Sequence, residues 1–139
     1  MGFLVDTNIF LDVVLRRRGL FEESQATLNW FSRHSGEGWI AWHTLANLHY
    51  VGTRTAGAPK TKAAIAGILE VFEVCPVGSR EAREAGRLDL PDFEDALQVS
   101  AGLSAGVELI ITRNGRDFRR SPLPAILPKE FLDRVVKGR

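Results

Sequence analysis

Apolar runs of three to five residues recur along this chain, each separated from the next by longer stretches of helical spacing. Phe3-Leu4-Val5, Trp39-Ile40-Ala41, Glu73-Val74-Cys75-Pro76-Val77, Val107-Glu108-Leu109-Ile110-Ile111 and Ala125-Ile126-Leu127 read as short strands. Val107–Ile111 is the clearest of them. Strands joined through helices need crossover connections, and crossovers pair strands in parallel. The pattern therefore predicts an α/β domain with helices on both faces of a four- or five-stranded parallel sheet.

The intervening segments carry helix signals. Asp6-Thr7-Asn8 offers caps for a helix with Ile9, Phe10, Val13 and Val14 on one side, stopping at Arg16-Arg17-Arg18-Gly19. A second helix is expected from about Phe21 to Arg33, with Phe21, Leu28 and Phe31 inward. Leu45, Leu48 and Val51 share helical spacing, and further helices are expected over Lys60–Phe72 and Arg80–Leu88. Pro91-Asp92 begins another, whose face is expected to comprise Phe93, Ala96, Leu97, Ser100 and Ser104. Its small residues Ala96, Ser100, Ala101 and Gly102 would allow close approach to a sheet.

Composition bounds the function classes. At 139 residues and 45% hydrophobic, the chain fits one domain over 1–139, and no repeat or Gly/Ser/Pro linker divides it. Eighteen basic against 17 acidic residues give a net charge of +1, so no single-sign field covers the surface. A lone cysteine, Cys75, excludes an internal disulfide framework and suits a reducing cytoplasm. The longest apolar run, Ala63–Leu69, is too short for a membrane span, and the N-terminal residues lack the basic region of a signal peptide. A cytoplasmic domain is expected.

Chemistry-bearing residues collect at the predicted strand ends. Asp6 follows the first strand, and Asn47 lies one or two turns into the helix after the second. Asp92 and Asp95 occupy the first turn of the helix before 107–111, and Thr112-Arg113-Asn114-Gly115-Arg116-Asp117-Phe118 follows that strand. Ligands of open parallel sheets bind beyond the strands' C-terminal ends. Two carboxylates about 5 Å apart repel by roughly 3 kcal/mol at an effective dielectric of about 20, so a converging set needs a counter-charge. Mg²⁺ or Mn²⁺ suits oxygen ligands, and metal-assisted phosphodiester hydrolysis is the chemistry indicated. Each residue also has a plainer use: Asp6 and Asn8 as helix caps, Asp92 with Asp95 as N-cap and N3, Asn114-Gly115 as a turn.

Three segments together, Phe3-Leu4-Val5-Asp6-Thr7-Asn8-Ile9-Phe10-Leu11-Asp12, Asp92-Phe93-Glu94-Asp95-Ala96-Leu97-Gln98 and Ile111–Phe118, resemble the PIN-domain family in its motif order. The likeness is greatest to VapC-type toxin ribonucleases and their stand-alone relatives, and runs from about residue 3 to 127. It implies an α/β/α sandwich, Mg²⁺- or Mn²⁺-dependent cleavage of RNA, a homodimer and, for toxins, a small antitoxin partner. Asp6 matches the family's first acid, Asp95 the central metal ligand, and Asn114 with Asp117 the last acidic position; Asp92 is an additional pocket acid. One position departs: in Thr44-Leu45-Ala46-Asn47-Leu48, Asn47 stands where the family usually has glutamate. Asparagine still offers a carbonyl oxygen but removes one negative charge. That leaves a one-metal enzyme, a weakened enzyme, or an RNA-binding module without turnover. An unrelated acidic-pocket phosphohydrolase or phosphoacceptor domain is a further possibility.

Thr7, Asn8, Arg113 and Arg116 are candidate RNA contacts, with Arg119 and Arg120 nearby. His34, His43 and His49 lack metal-ligand spacing and are expected to be structural. Trp30, Trp39 and Trp42 are expected in a core or an interface.

Overall fold

The computed structural model describes residues 2–137. Five strands form one sheet: β1 (Phe3–Val5), β2 (Gly38–Ile40), β3 (Glu73–Val74), β4 (Leu109–Ile111) and β5 (Ala125–Ile126). All four pairings are parallel and the order is β3-β2-β1-β4-β5. The chain thus winds outward from β1 through β2 to β3, then returns to place β4 on the other side of β1. That reversal makes the β1–β4 boundary the switch point of the sheet.

The helices are α1 (Thr7–Val14), α2 (Phe21–Ser32), α3 (Trp42–Ala56), α4 (Ala58–Val71), α5 (Ser79–Ala85), α6 (Phe93–Ala105) and α7 (Pro128–Lys137). Alternation along the strands divides the core into two layers. Phe3, Val5, Ile40, Leu109 and Ile111 face Ile9, Phe10, Trp30, Phe31, Leu48, Phe72 and Phe131, on the side of α1–α4 and α7. Leu4, Ala41 and Ile110 face Val99, Ala101, Phe118 and Leu123, on the side of α6. This is a three-layer α/β/α sandwich, as the sequence indicates. Among the described residues, no helix is long and apolar enough to cross a membrane.

Several local expectations are corrected. Helix α1 stops at Val14, and the arginines that follow form a turn in which Arg16 has φ 48° and Gly19 φ 80°. In α2 the buried set is Ser24, Thr27, Trp30 and Phe31, while Phe21 stays partly exposed beneath the Arg16 guanidinium. The face of α6 is also rotated from the expected one. Phe93 is 58% exposed and Ser104 is exposed, whereas Ala96, Gln98, Val99, Ser100, Ala101 and Gly102 are buried. Close approach explains the small residues: a Cβ on Gly102 would lie 2.8 Å from Leu123 and 3.3 Å from Leu4.

Trp30 belongs to the core, with His34 stacked on it at 3.9 Å, but Trp42 is exposed. Cys75 is buried, and burial pushes its thiol pKa up to about 12, so it behaves as an inert apolar residue.

Candidate active site

Asp6 is the first residue beyond β1 and caps α1, its carboxylate accepting from the Asn8 amide at 3.4 Å. The capping use expected of Asp6 is therefore present, and it occupies only part of the side chain. The β1–β4 register pairs Val5 with Ile111, which sets Asp6 level with Thr112. The Thr112 hydroxyl donates to Asp6 Oδ2 at 2.7 Å, and Gln98 Nε2 in α6 donates to Oδ1 at 3.0 Å. Three donors thus orient a buried carboxylate. Burial raises its pKa more than these hydrogen bonds lower it.

Asp95 lies three residues before Gln98 on α6, hence on the same helical face and toward Asp6. Asp92 is the N-cap of α6, its Oδ1 accepting from the Asp95 amide at 3.0 Å. The capping geometry uses Asp95's backbone and leaves its carboxylate for the pocket. Desolvation pushes the Asp95 pKa up to about 7, and the charges of Asp6, Glu94, Asp92 and Asp117 add to the rise. One carboxylate thus feels four others, from β1, the start of α6 and the 3₁₀ turn Gly115–Phe118.

Carboxylate oxygens of Asp92, Glu94 and Asp95 lie within 4.8 Å of one another. The ligand atoms are all hard oxygens, the neighbouring carboxylates push the Asp95 pKa up, and Gln98 Oε1 is buried with no hydrogen-bond partner among the described residues. A buried carbonyl oxygen without a donor is costly in an otherwise satisfied interior. These features fit a hard divalent cation with its water shell.

The remaining expected residues are placed unevenly. The loop after β4 carries Asn114, whose amide donates to Thr112 Oγ1 at 3.0 Å, and Asp117, whose amide donates to the Asn114 carbonyl at 2.9 Å. Asn47 is half-buried on α3, one turn beyond His43. Thr7, expected to touch RNA, is buried, with its hydroxyl 2.8 Å from that of Thr44. Arg113, expected on phosphate, is instead turned to Asp12, its Nε donating to Oδ2 at 2.6 Å. Asn8 is only partly exposed, whereas Arg116 is exposed. Arg116 lines a surface cavity of about 320 Å³ with Asp117, Arg119, Arg120, Asp89, Leu90 and Pro91.

Four residues of the site are not among the candidates read from the sequence, although Glu94, Gln98 and Thr112 lie within its motif segments. Gln98 and Thr112 hold Asp6, Glu94 joins the acids, and His43 Nε2 sits 2.6 Å from Glu94 Oε2. Gln98 was detectable as a polar residue in an apolar helix face one turn from Asp95. The His43–Glu94 pair joins α3 to α6 across 51 positions, and no local pattern announces it.

The PIN-domain family model matches residues 2–116. Among solved structures, the DNA-bound VapBC of Salmonella typhimurium aligns with TM-score 0.71 at 19% identity, covering 92% of this chain and 98% of that one. A toxin–antitoxin complex from Klebsiella pneumoniae aligns with TM-score 0.69 at 21% identity, covering 91% and 98%. The VapC20 toxin of Mycobacterium tuberculosis, described as cleaving the sarcin–ricin loop, aligns with TM-score 0.58 at 19% identity, covering 78% and 87%. No curated protein sequence matches the chain. The family match over residues 2–116 takes in most of the chain, including Asp6, Asp92, Glu94 and Asp95; the chain belongs to the PIN-domain family.

Proposed function

We propose that this protein is a metal-dependent endoribonuclease that hydrolyses RNA phosphodiester bonds in the cytoplasm as the toxin of a toxin–antitoxin pair. The observation that carries the reading is Asp95, held among four other carboxylates with a pKa near 7. A site that concentrates negative charge in this way suits a divalent cation and a reaction in which charge develops on phosphate. Asp6, Asp95 and Asp117 are the catalytic acids in this reading. Asp92, Asn114 and Asn47 complete the ligand set, with Asn47 as a weak or outer ligand; Glu94, with a carboxylate oxygen within 4.8 Å of those of Asp92 and Asp95, is a further ligand in this reading. When bound, Mg²⁺ or Mn²⁺ supplies Lewis-acid stabilisation of the charge on the phosphate.

The chain's own residues do the rest. Gln98 and Thr112 fix the orientation of Asp6. Arg116, with Arg119 and Arg120 in the cavity next to Asp117, holds the RNA backbone beside the acids. A small antitoxin belongs to the same reading, supported by the toxin–antitoxin description of a neighbour, and a homodimer is part of that reading. The test is cleavage of RNA by purified protein with Mg²⁺ or Mn²⁺. Turnover is expected to vanish in excess EDTA and in Asp6→Asn and Asp95→Asn; cleavage unchanged under those conditions sinks the assignment.

A second reading is favoured by Asn47, which brings a neutral amide rather than a carboxylate: an RNA-binding module with little turnover. Asn47→Glu, assayed in parallel, should then raise both metal affinity and cleavage. No gain in metal affinity counts against it.

A further inference from the structure

The loop that carries Asn114 and Asp117 is held by two buried aspartates of the β1–α1 segment. Thr112 donates its hydroxyl to Asp6, and the next residue, Arg113, donates Nε to Asp12 at 2.6 Å. Two consecutive residues bonded to two different buried carboxylates hold the start of the loop at two points. Asp12 is fully buried and is itself held from elsewhere: the Ser24 hydroxyl of α2 donates to Oδ2 at 2.8 Å, and Arg17 reaches Oδ1 at 3.4 Å. Its neighbours Ile9, Phe10 and Leu11 are core residues, so a carboxylate here departs from an otherwise apolar face. A buried ion pair is weak evidence for stability, since apolar residues often serve as well; its use is to specify an arrangement.

We propose that Asp12 is a positioning residue of the acidic pocket, acting through Arg113 to set the loop that presents Asn114 and Asp117. The pocket's identity as a metal site rests on the nuclease reading; the clamp does not. Arg113 is accordingly a strut and not a phosphate contact, its side chain being 22% exposed and directed at Asp12. The last acid of the site is thus oriented from α1, and α1 is tied to α2 through Ser24.

Arg113→Gln, Arg113→Lys and Asp12→Asn separate the possibilities. Hydrogen exchange on the RNA-free, metal-free protein is read first, well below the melting temperature of each variant. Arg113→Gln and Asp12→Asn should each speed exchange at the Asn114 and Asp117 amides about tenfold, with the Asp95 and Ala96 amides of α6 unchanged. Mn²⁺ titration should show weaker binding in the same two variants, with partial recovery in Arg113→Lys. Unchanged exchange over 112–118, exchange accelerated equally throughout the chain, or, where wild type binds Mn²⁺, an affinity unaltered in the variants overturns the proposal. So does a rise in RNA KM with a shallower salt dependence in Arg113→Gln alone, the mark of a lost phosphate contact. If wild type fails to cleave RNA while the exchange and Mn²⁺ results hold, the clamp stands and the nuclease reading falls.

Discussion

At the scale of single residues, the site is a set of charges that the fold brings closer together than water would allow. Asp95 shows the consequence: its pKa moves from 3.8 to about 7 through burial and through Asp6, Glu94, Asp92 and Asp117. An acid whose pKa is raised on folding stabilises the native state below its unfolded value, and that contribution is lost as pH rises through the folded value. The metal-free protein therefore carries a penalty at Asp95 above pH 7 that is absent near pH 4. Asp95→Asn should be more stable than wild type at pH 8 in EDTA, by about 1–2 kcal/mol after allowance for solvent screening. The gap should close as pH falls toward 5. Thermal denaturation at both values checks it, and a gap that widens on acidification would contradict the charge argument. Asp6, Asp92, Asp95 and Asp117 were legible as candidates because acids at strand ends are informative in a parallel sheet. Asp12 was not, because a lone carboxylate beside Ile9-Phe10-Leu11 gives no sign of Arg113, 101 positions away.

At the scale of elements, α6 carries the most information. Its capping by Asp92 fixes where the helix starts, and its rotation decides that Asp95 and Gln98 meet Asp6 while Phe93 faces solvent. The sequence identifies the small-residue stretch that lets α6 lie close to the sheet, but a phase counted from Phe93 misplaces its face. Apolar spacing alone could not resolve this, since Ala, Ser and Gly fit either side of a helix. The same substitution should have opposite effects on two helices. Gly102→Ala would drive a Cβ to 2.8 Å from Leu123 and 3.1 Å from Val107, costing about 1–3 kcal/mol. Gly67→Ala in α4 meets nothing within 4 Å and should stabilise by about 0.5–1 kcal/mol through helix propensity. Urea denaturation of the two variants measures both signs.

At the scale of the whole molecule, strand order creates the site. Since β1 lies between β2 and β4, the chain reverses direction across the sheet there, and Asp6 after β1 meets Thr112 after β4 and Gln98 of α6. A ligand that binds the native pocket and not the unfolded chain must stabilise the fold. Mn²⁺ should therefore raise the melting temperature, approaching about 2.7 kcal/mol at a concentration 100 times its dissociation constant. Asp95→Asn should remove most of that gain, whether or not RNA is cleaved; an equal rise in the variant would place the cation elsewhere. The net charge of +1 hides this arrangement, because the acids of the site are offset by arginines such as Arg116 and Arg119, which line a cavity with Asp117.

By itself the sequence determined the fold class, the parallel pairing and the family's three segments, since these follow from local periodicity, crossover geometry and residues close together in the chain. Only the tertiary structure decided which neighbours meet: Gln98 and Thr112 on Asp6, His43 on Glu94, Arg113 on Asp12. Those contacts join positions from 51 to 106 apart, and they depend on strand order, register and helix rotation, which no local pattern encodes.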